Sequence, residues 1–338
     1  MSEPAKQLTR KDFVSNQDVR WCPGCGDYAI LSTMQRTLPE LGIKRENVVF
    51  VSGIGCSSRF PYYMDTYGFH TVHGRAPAFA TGIKLANPEL DVWLVTGDGD
   101  GLSIGGNHLL HCLRRNVDLQ ILLFNNRIYG LTKGQYSPTS LVGHQSPSTP
   151  AGSVDAPLFP AAFALGSGAR FVARCPDTLA KKLAPLLKRA HGHRGTSFLE
   201  ILQNCPVFND KAWEGVDDRS AVSEQQLWLE HGQPMRFGAD KGLRLRANTH
   251  DLEVVTLGRE GVSEADLLVH NEKSRSLAFL LAGMDPSLGY PTALGVLYCD
   301  PAPTFDEMMM KQIDHAIAKR GRGTVDALLH SGHTWSTP

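Results

Sequence analysis

The sequence predicts an α/β chain built on a doubly wound, mostly parallel sheet with a C-terminal extension, and three stretches carry that expectation. The first runs from Thr96 to Gly130: an apolar strand (VWLV) ends in a Gly-Asp turn, an amphipathic helix follows, and a second apolar strand (LQILLF) closes on Asn125 and Asn126. A helix between two short hydrophobic runs is a βαβ unit, whose strands are parallel. The second stretch pairs ARFVAR with TSFLEILQNCP across the amphipathic DTLAKKLAPLLKRAHG, and the third is the strand NVVFVSG followed by the small-residue helix RAPAFATGIKLANP. With 338 residues, 42% of them apolar, the chain can bury the core of one large α/β domain or two smaller ones.

Taken in order, residues 1–20 are polar and read as an arm packing on a neighbour or on the domain edge. Residues 21–210 form the α/β domain. Within it WCPGCG holds Cys22 and Cys25 in a C-x-x-C hairpin, and Ile30, Leu31, Met34, Leu38 and Leu41 recur at helical spacing after it. About thirty residues from Ile128 to Phe159 are rich in Gly, Ser, Thr and Pro without periodicity, and a loop of that length inside a compact domain is functional. PLFPAAFALG reads as a helix. Residues 211–338 are more charged and form an extension or subdomain, with short strands LEVVTLG, SLAFLLAG and TALGVLY and the helix FDEMMMKQIDHAIAKRG.

Lys plus Arg equals Asp plus Glu at 34 each, so no net field draws the chain to nucleic acid or an acidic membrane surface. No apolar run approaches membrane-spanning length and the N-terminus has no signal-peptide core, which makes a soluble cytoplasmic protein the expectation. Seven cysteines then read as thiols or metal ligands rather than disulfides. Cys112, Cys175 and Cys299 fall within or beside regular elements and read as structural. The C-x-x-C pair can be half a zinc site, a redox disulfide or two ligands of an iron-sulfur cluster.

Parallel strands end on one edge of their sheet, and ligands bind along that edge. There the Gly97 turn meets Asn125 and Asn126, so Asp98, the Asn126 amide oxygen and a backbone carbonyl just beyond it make a hard oxygen half-shell suited to magnesium. Gly97, Gly99 and Gly101 allow backbone N–H groups to approach a diphosphate, although a short Gly-Asp turn is by itself more often a plain loop. GIGCSS brings Cys56, Ser57 and Ser58 to the same edge, with His73 and Arg75, and Cys205 follows the strand SFLEILQ. A lone cysteine such as Cys56 is more often a small buried residue than a ligand. Lys133 is the one lysine or arginine of the long loop and suits a substrate carboxylate as a point charge, or is simply solvated.

Together WCPGCG, GIGCSS, HGRAPAFATG, TGDGD with NN, YGLTKGQ-SPT and NCP resemble the β subunit of the 2-oxoacid:ferredoxin oxidoreductases, over roughly the first 210 residues. The resemblance implies a sheet of the thiamine diphosphate-binding type, with magnesium held by Asp98, Asn126 and the Ile128 carbonyl. It implies one 4Fe-4S cluster on Cys22, Cys25, Cys56 and Cys205. Gly55, Cys56, Ser57, Ser58, His73, Gly97, Asp98, Gly99, Asp100, Asn126 and the segment Tyr129, Gly130, Leu131 and Thr132 would line the cofactor. Coenzyme A would be the acyl acceptor, ferredoxin the electron acceptor, and an obligate α subunit would complete a dimer of heterodimers and supply the activating glutamate. YGLTKGQ is closer to the 2-oxoglutarate and broad-range members than to the pyruvate enzymes, with Lys133 on the distal carboxylate, Leu131 shaping the pocket and His73 beside them. The competing readings are a member specific for pyruvate or another 2-oxoacid, and a non-catalytic metal-binding partner subunit.

Overall fold

The computed structural model describes residues 8–217, 222–335 and 337. Its strands are β1 (Val48–Ser52), β2 (Tyr67–His70), β3 (Asp91–Gly97), β4 (Gln120–Asn125), β5 (Phe171–Pro176), β6 (Ser197–Leu202), β7 (Gln226–Leu229), β8 (Arg236–Phe237), β9 (Lys241–Leu245), β10 (Leu252–Thr256) and β11 (Thr292–Cys299). Eight of them form one sheet in the order β2-β1-β3-β4-β6-β5-β11-β7, while β10-β9-β8 make a small antiparallel sheet. From β2 to β5 every pairing is parallel; β11 runs antiparallel to β5, and β7 runs parallel to β11.

The helices are α1 (Asp27–Thr37), α2 (Ala76–Ala86), α3 (Asp98–Leu102), α4 (Gly106–Arg115), α5 (Pro160–Gly166), α6 (Ala180–Gly192), α7 (Val222–Gln225), α8 (Arg275–Ala282), α9 (Phe305–Arg320) and α10 (Val325–Leu329). They cover both faces of the main sheet. Leu94, Ile121, Leu123, Val172 and Phe198 pack under α2, α4, α5 and α8, and Phe50, Trp93, Leu122, Phe124 and Leu199 pack under α1 and α6. Because both faces are buried, β1, β4, β5 and β6 are buried at every position and read in the sequence as continuous apolar runs. The N-terminal arm docks on its own domain: Phe13 is fully buried and its carbonyl accepts from the Asp65 N–H.

Three features differ from the sequence pattern. The single helix expected after β3 is two pieces, α3 and α4, broken where Gly105 meets Gly74 backbone to backbone; a Cβ on Gly74 would stand 2.5 Å from the Gly105 nitrogen. SLAFLLAG is not a strand but α8, started by Ser274, whose hydroxyl accepts from the Leu277 N–H, and burying Ala278, Leu281 and Ala282. A short apolar run does not by itself separate a strand from a buried helix. Finally, TALGVLY does not stay in a peripheral unit: as β11 it enters the main sheet beside β5, and β7 follows it. Its residues are apolar on both faces, a pattern that burial within a sheet satisfies. Among the described residues no helix is long and apolar enough to cross a membrane.

Candidate functional site

The C-terminal ends of the adjacent strands β1, β3 and β4 open into one cavity of about 470 Å³. From β1 come Gly55, Cys56 and Ser57; from β3 come Gly97, Asp98, Gly99 and Asp100; from the segment after β4 come Asn126, Ile128, Tyr129, Gly130, Leu131 and Thr132. His73, which precedes α2, lies on the exposed rim. Gly55 has φ of 100°, a left-handed conformation that glycine adopts without strain and that turns the chain from β1 into the cavity.

Asp98 is the buried floor group, 1% exposed. Its Oδ2 accepts from the Ser137 hydroxyl and lies 2.7 Å from the Thr139 hydroxyl, and the Asn126 N–H also donates to the carboxylate. Thr139 Oγ1 is also 2.9 Å from Asn125 Oδ1, but a hydroxyl has one proton, and the charge-assisted bond to Asp98 is the stronger use of it. Burial pushes the Asp98 carboxyl above its usual range, and these three donors offset part of that shift. A buried carboxylate of this kind gains from a nearby cation.

The neighbouring acceptors suit a hard one. Asn126 Oδ1 accepts from the Ile128 N–H at 3.2 Å, and between them Arg127 has φ of 57°, a left-handed turn that sends the Arg127 side chain away from the cavity while Asn126 and Ile128 line it. Carboxylate, amide oxygen and main-chain carbonyl form an all-oxygen donor set of the type that holds magnesium together with phosphate or water. The residues present therefore fit such an ion.

Asp100 has a different task. Its Oδ1 accepts from the Gly74 N–H at 2.7 Å and its Oδ2 from the Thr96 hydroxyl at 2.9 Å, tying the turns after β2 and β3 together. A Cβ on Gly53 would fall 1.8 Å from that same Oδ2, so the end of β1 approaches the carboxylate as only glycine can. Tyr129 lies flat against Gly99, donating to its carbonyl at 2.9 Å, where an added Cβ would meet the ring at 2.3 Å.

Thiols lie beside Gly130. The position of an added Gly130 Cβ is 3.5 Å from Cys205 Sγ and 3.7 Å from Cys56 Sγ, ordinary contact distances that place Gly130 directly against both sulfurs. Cys25 belongs to the same group: Gln203 Nε2 donates to its Sγ at 3.3 Å, the Gly26 N–H donates to the Asn204 carbonyl, and the Asn204 N–H donates to Asp177. These bonds dock the C-x-x-C hairpin onto the chain leaving β6. Burial first, and Asp27 second, push Cys56 up to about 12 and Cys25 further in the same direction, with smaller contributions from the other cysteines of the group, Cys22 and Cys205 among them. Cys22 is the exposed member.

Among the described residues no three His, Cys, Asp or Glu side chains are set around a single metal ion. A zinc ion needs every sulfur within about 2.3 Å of one point. A four-iron cluster is a larger body held by four thiolates, and Cys22, Cys25, Cys56 and Cys205 supply four thiols close enough to feel one another's charge.

Besides Cys22, Cys25 and Cys205, the predicted residues Ser58 and Lys133 fall outside the cavity wall. Ser58 is fully buried and donates to the Ile54 carbonyl, bracing the turn rather than facing a ligand. Lys133 is exposed with φ of 77°, next to the lining residues Leu131 and Thr132. Ser137 and Thr139 were the missed functional residues. Their signal was the S-P-T motif in a loop of unusual length, but the sequence does not reveal which carboxylate the hydroxyls reach.

The comparisons with known proteins agree with this geometry. Residues 53–201 match the family model described as the thiamine pyrophosphate enzyme C-terminal TPP binding domain. The chain is 50% identical over 331 residues to the 2-oxoglutarate oxidoreductase subunit KorB of Mycobacterium tuberculosis, covering 96% of this chain and 88% of that protein. It is 47% identical over 192 residues to the 2-oxoacid:ferredoxin oxidoreductase subunit beta of Saccharolobus solfataricus, covering 56% of this chain and 63% of the relative. Among solved structures it resembles the 2-oxoglutarate:ferredoxin oxidoreductase from Magnetococcus marinus, which has 2-oxoglutarate, coenzyme A and succinyl-CoA bound, with a TM-score of 0.78 and 33% identity over 98% of both chains. Cavity, oxygen donors and the long match to a β-type subunit converge, and the chain belongs to the 2-oxoacid:ferredoxin oxidoreductases as a β subunit.

Proposed function

We propose that this chain, joined to an α subunit, interconverts 2-oxoglutarate, coenzyme A and oxidised ferredoxin with succinyl-CoA, carbon dioxide and reduced ferredoxin, in the cytoplasm. The observation that carries the reading is the position of Gly130, which lines the cavity holding the Asp98 and Asn126 oxygens and lies against the Cys56 and Cys205 thiols. When bound, thiamine diphosphate with magnesium supplies an electron sink for decarboxylation, and a 4Fe-4S cluster supplies a one-electron exit.

The protein's own part is positioning. Asp98, Asn126 and the Ile128 carbonyl would hold magnesium, with Ser137 and Thr139 fixing the orientation of the Asp98 carboxylate. Tyr129 keeps the Gly99 turn pressed against the cavity floor. Cys22, Cys25, Cys56 and Cys205 would hold the cluster, and Trp21, whose indole N–H donates to the Cys56 carbonyl at 2.7 Å, anchors its loop. Leu131 and Lys133 stand at the mouth, where Lys133 would attract the distal carboxylate of 2-oxoglutarate, and His73 faces them across the rim.

The family relation also supports an α subunit that closes this mouth in a dimer of heterodimers. The exposure of Lys133 favours one second reading, the same reaction on pyruvate or another 2-oxoacid. The test is anaerobic reduction of ferredoxin or a viologen by the chain co-purified with its α partner. Coenzyme A-dependent reduction that prefers 2-oxoglutarate is expected, a preference for pyruvate would discard the substrate, and a colourless complex inert towards every 2-oxoacid would discard the reaction.

A further inference from the structure

A second cavity, of about 350 Å³, lies beyond Asn125, on the other side of the chain from the first. Its floor is a polar row across three strands. Asn125 Nδ2 donates to Glu200 Oε1 at 2.8 Å, and Arg174 Nε donates to Glu200 Oε2 at 2.8 Å, so β4, β6 and β5 each contribute one member and Glu200 uses both oxygens. Arg174 is 7% exposed and spends a further N–H on the Ala293 carbonyl.

Arg127 enters the same cavity from above. Its left-handed backbone aims the side chain there, where the guanidinium lies 3.7 Å over the Trp213 ring and donates one N–H to the Ala212 carbonyl. Among the described residues no carboxylate is ion-paired with it. Burial, helped by neighbouring Arg174, pulls it down to about 10 although Glu200, Asp98 and Asp285 act in the opposite direction, so carboxylates that do not touch it leave its desolvation uncompensated. Asp285 lines the same cavity from the chain after α8 and caps the Ser287 N–H with one oxygen, and no cation is ion-paired with it among the described residues.

An enclosed guanidinium that no carboxylate touches has room for an oxyanion, and a planar carboxylate matches its fork. The unpaired carboxylate in the same cavity opposes a polyanion and favours a ligand that also carries a positive group. We infer that this second cavity binds a small zwitterion of the α-amino acid class, its carboxylate on Arg127 and its ammonium on Asp285. Because Arg127 sits between Asn126 and Ile128, and Asn125 touches Thr139, such a ligand would press on the chain that forms the first site, as an effector would. Calorimetry reads its binding without turnover, so the test stands apart from the proposed reaction.

The experiment is calorimetric titration of L-glutamate, L-alanine and succinate into the co-purified α-β complex. At least one of the amino acids should bind more tightly than succinate. Its Kd should rise about tenfold or more in Arg127→Met and in the capping-competent Asp285→Asn, and stay unchanged in Lys133→Ala. Absence of amino acid binding would overturn the assignment. So would binding lost in Lys133→Ala but kept in Asp285→Asn, which places the ligand in the first cavity, or succinate binding as tightly as glutamate with Asp285→Asn without effect, which reduces the cavity to a plain anion site. Should Arg127→Met fail to fold, Asp285→Asn alone decides.

Discussion

Replacing Thr139 by valine removes one hydroxyl and almost no volume from a side chain that is 2% exposed, so it isolates the support given to Asp98. The carboxylate keeps the Ser137 hydroxyl and the Asn126 N–H, and Asn125 Oδ1 keeps the Arg127 N–H at 3.3 Å. One charge-assisted hydrogen bond of three is lost, worth about 1.5–3 kcal/mol. That sum is the same as the roughly 10- to 100-fold loss of metal affinity typical when a partner of a metal-bound group is removed. The Kd for magnesium with thiamine diphosphate, read by calorimetry on the α-β complex, should therefore rise by about one to two powers of ten, while the visible absorption of the iron-sulfur chromophore stays constant. A Kd within about threefold of the parent would refute the reasoning, because it would mean that the buried carboxylate is oriented without Thr139.

Cys56→Ser should bleach the visible absorption of the anaerobically purified complex yet leave the far-ultraviolet dichroism unchanged; a retained brown colour would remove Cys56 from the ligand set. Lys133→Ala should lower kcat/KM for 2-oxoglutarate about tenfold or more and leave other 2-oxoacids nearly unaffected, and equal losses would show that the lysine does not read a distal carboxylate. Acid stability should follow two buried imidazoles. His270 and His193 are held below the ordinary 6.5 chiefly by burial, and each has one ring nitrogen buried without a hydrogen-bond partner among the described residues. The unfolded chain takes up these protons before the folded one does, so their contribution is complete above about pH 6.5 and lost as the pH falls below it. The Tm should decline between pH 6.5 and 5, and His270→Asn should flatten that decline; identical profiles for parent and variant would assign it to other groups.

The central strands were legible because parallel strands buried on both faces leave apolar runs, as in VVFVS and ILLF, and in SFLEIL but for Glu200. The glycines and Asp98 were legible for a related reason: a chain that ends a strand, turns at once and presents a carboxylate needs those residue types in that order. By itself the sequence therefore determined the parallel core of the sheet and the residues from three strand ends that meet at one cavity.

What it could not express was partnership across long separations. Ser137 and Thr139 reach Asp98 from about forty positions away, and Gln203 reaches Cys25 across 178. β11 takes its place beside β5 only because that edge of the sheet is open to an apolar strand, and α8 is a helix because Ser274 starts one where the hydrophobic pattern was neutral. Above all, the left-handed turn at Arg127 sends one side chain of the N-N-R-I run into a different cavity from its neighbours. Pattern along the chain records which residues must be buried, whereas hydrogen-bond direction and backbone handedness decide which of them meet, and only the tertiary structure contains those.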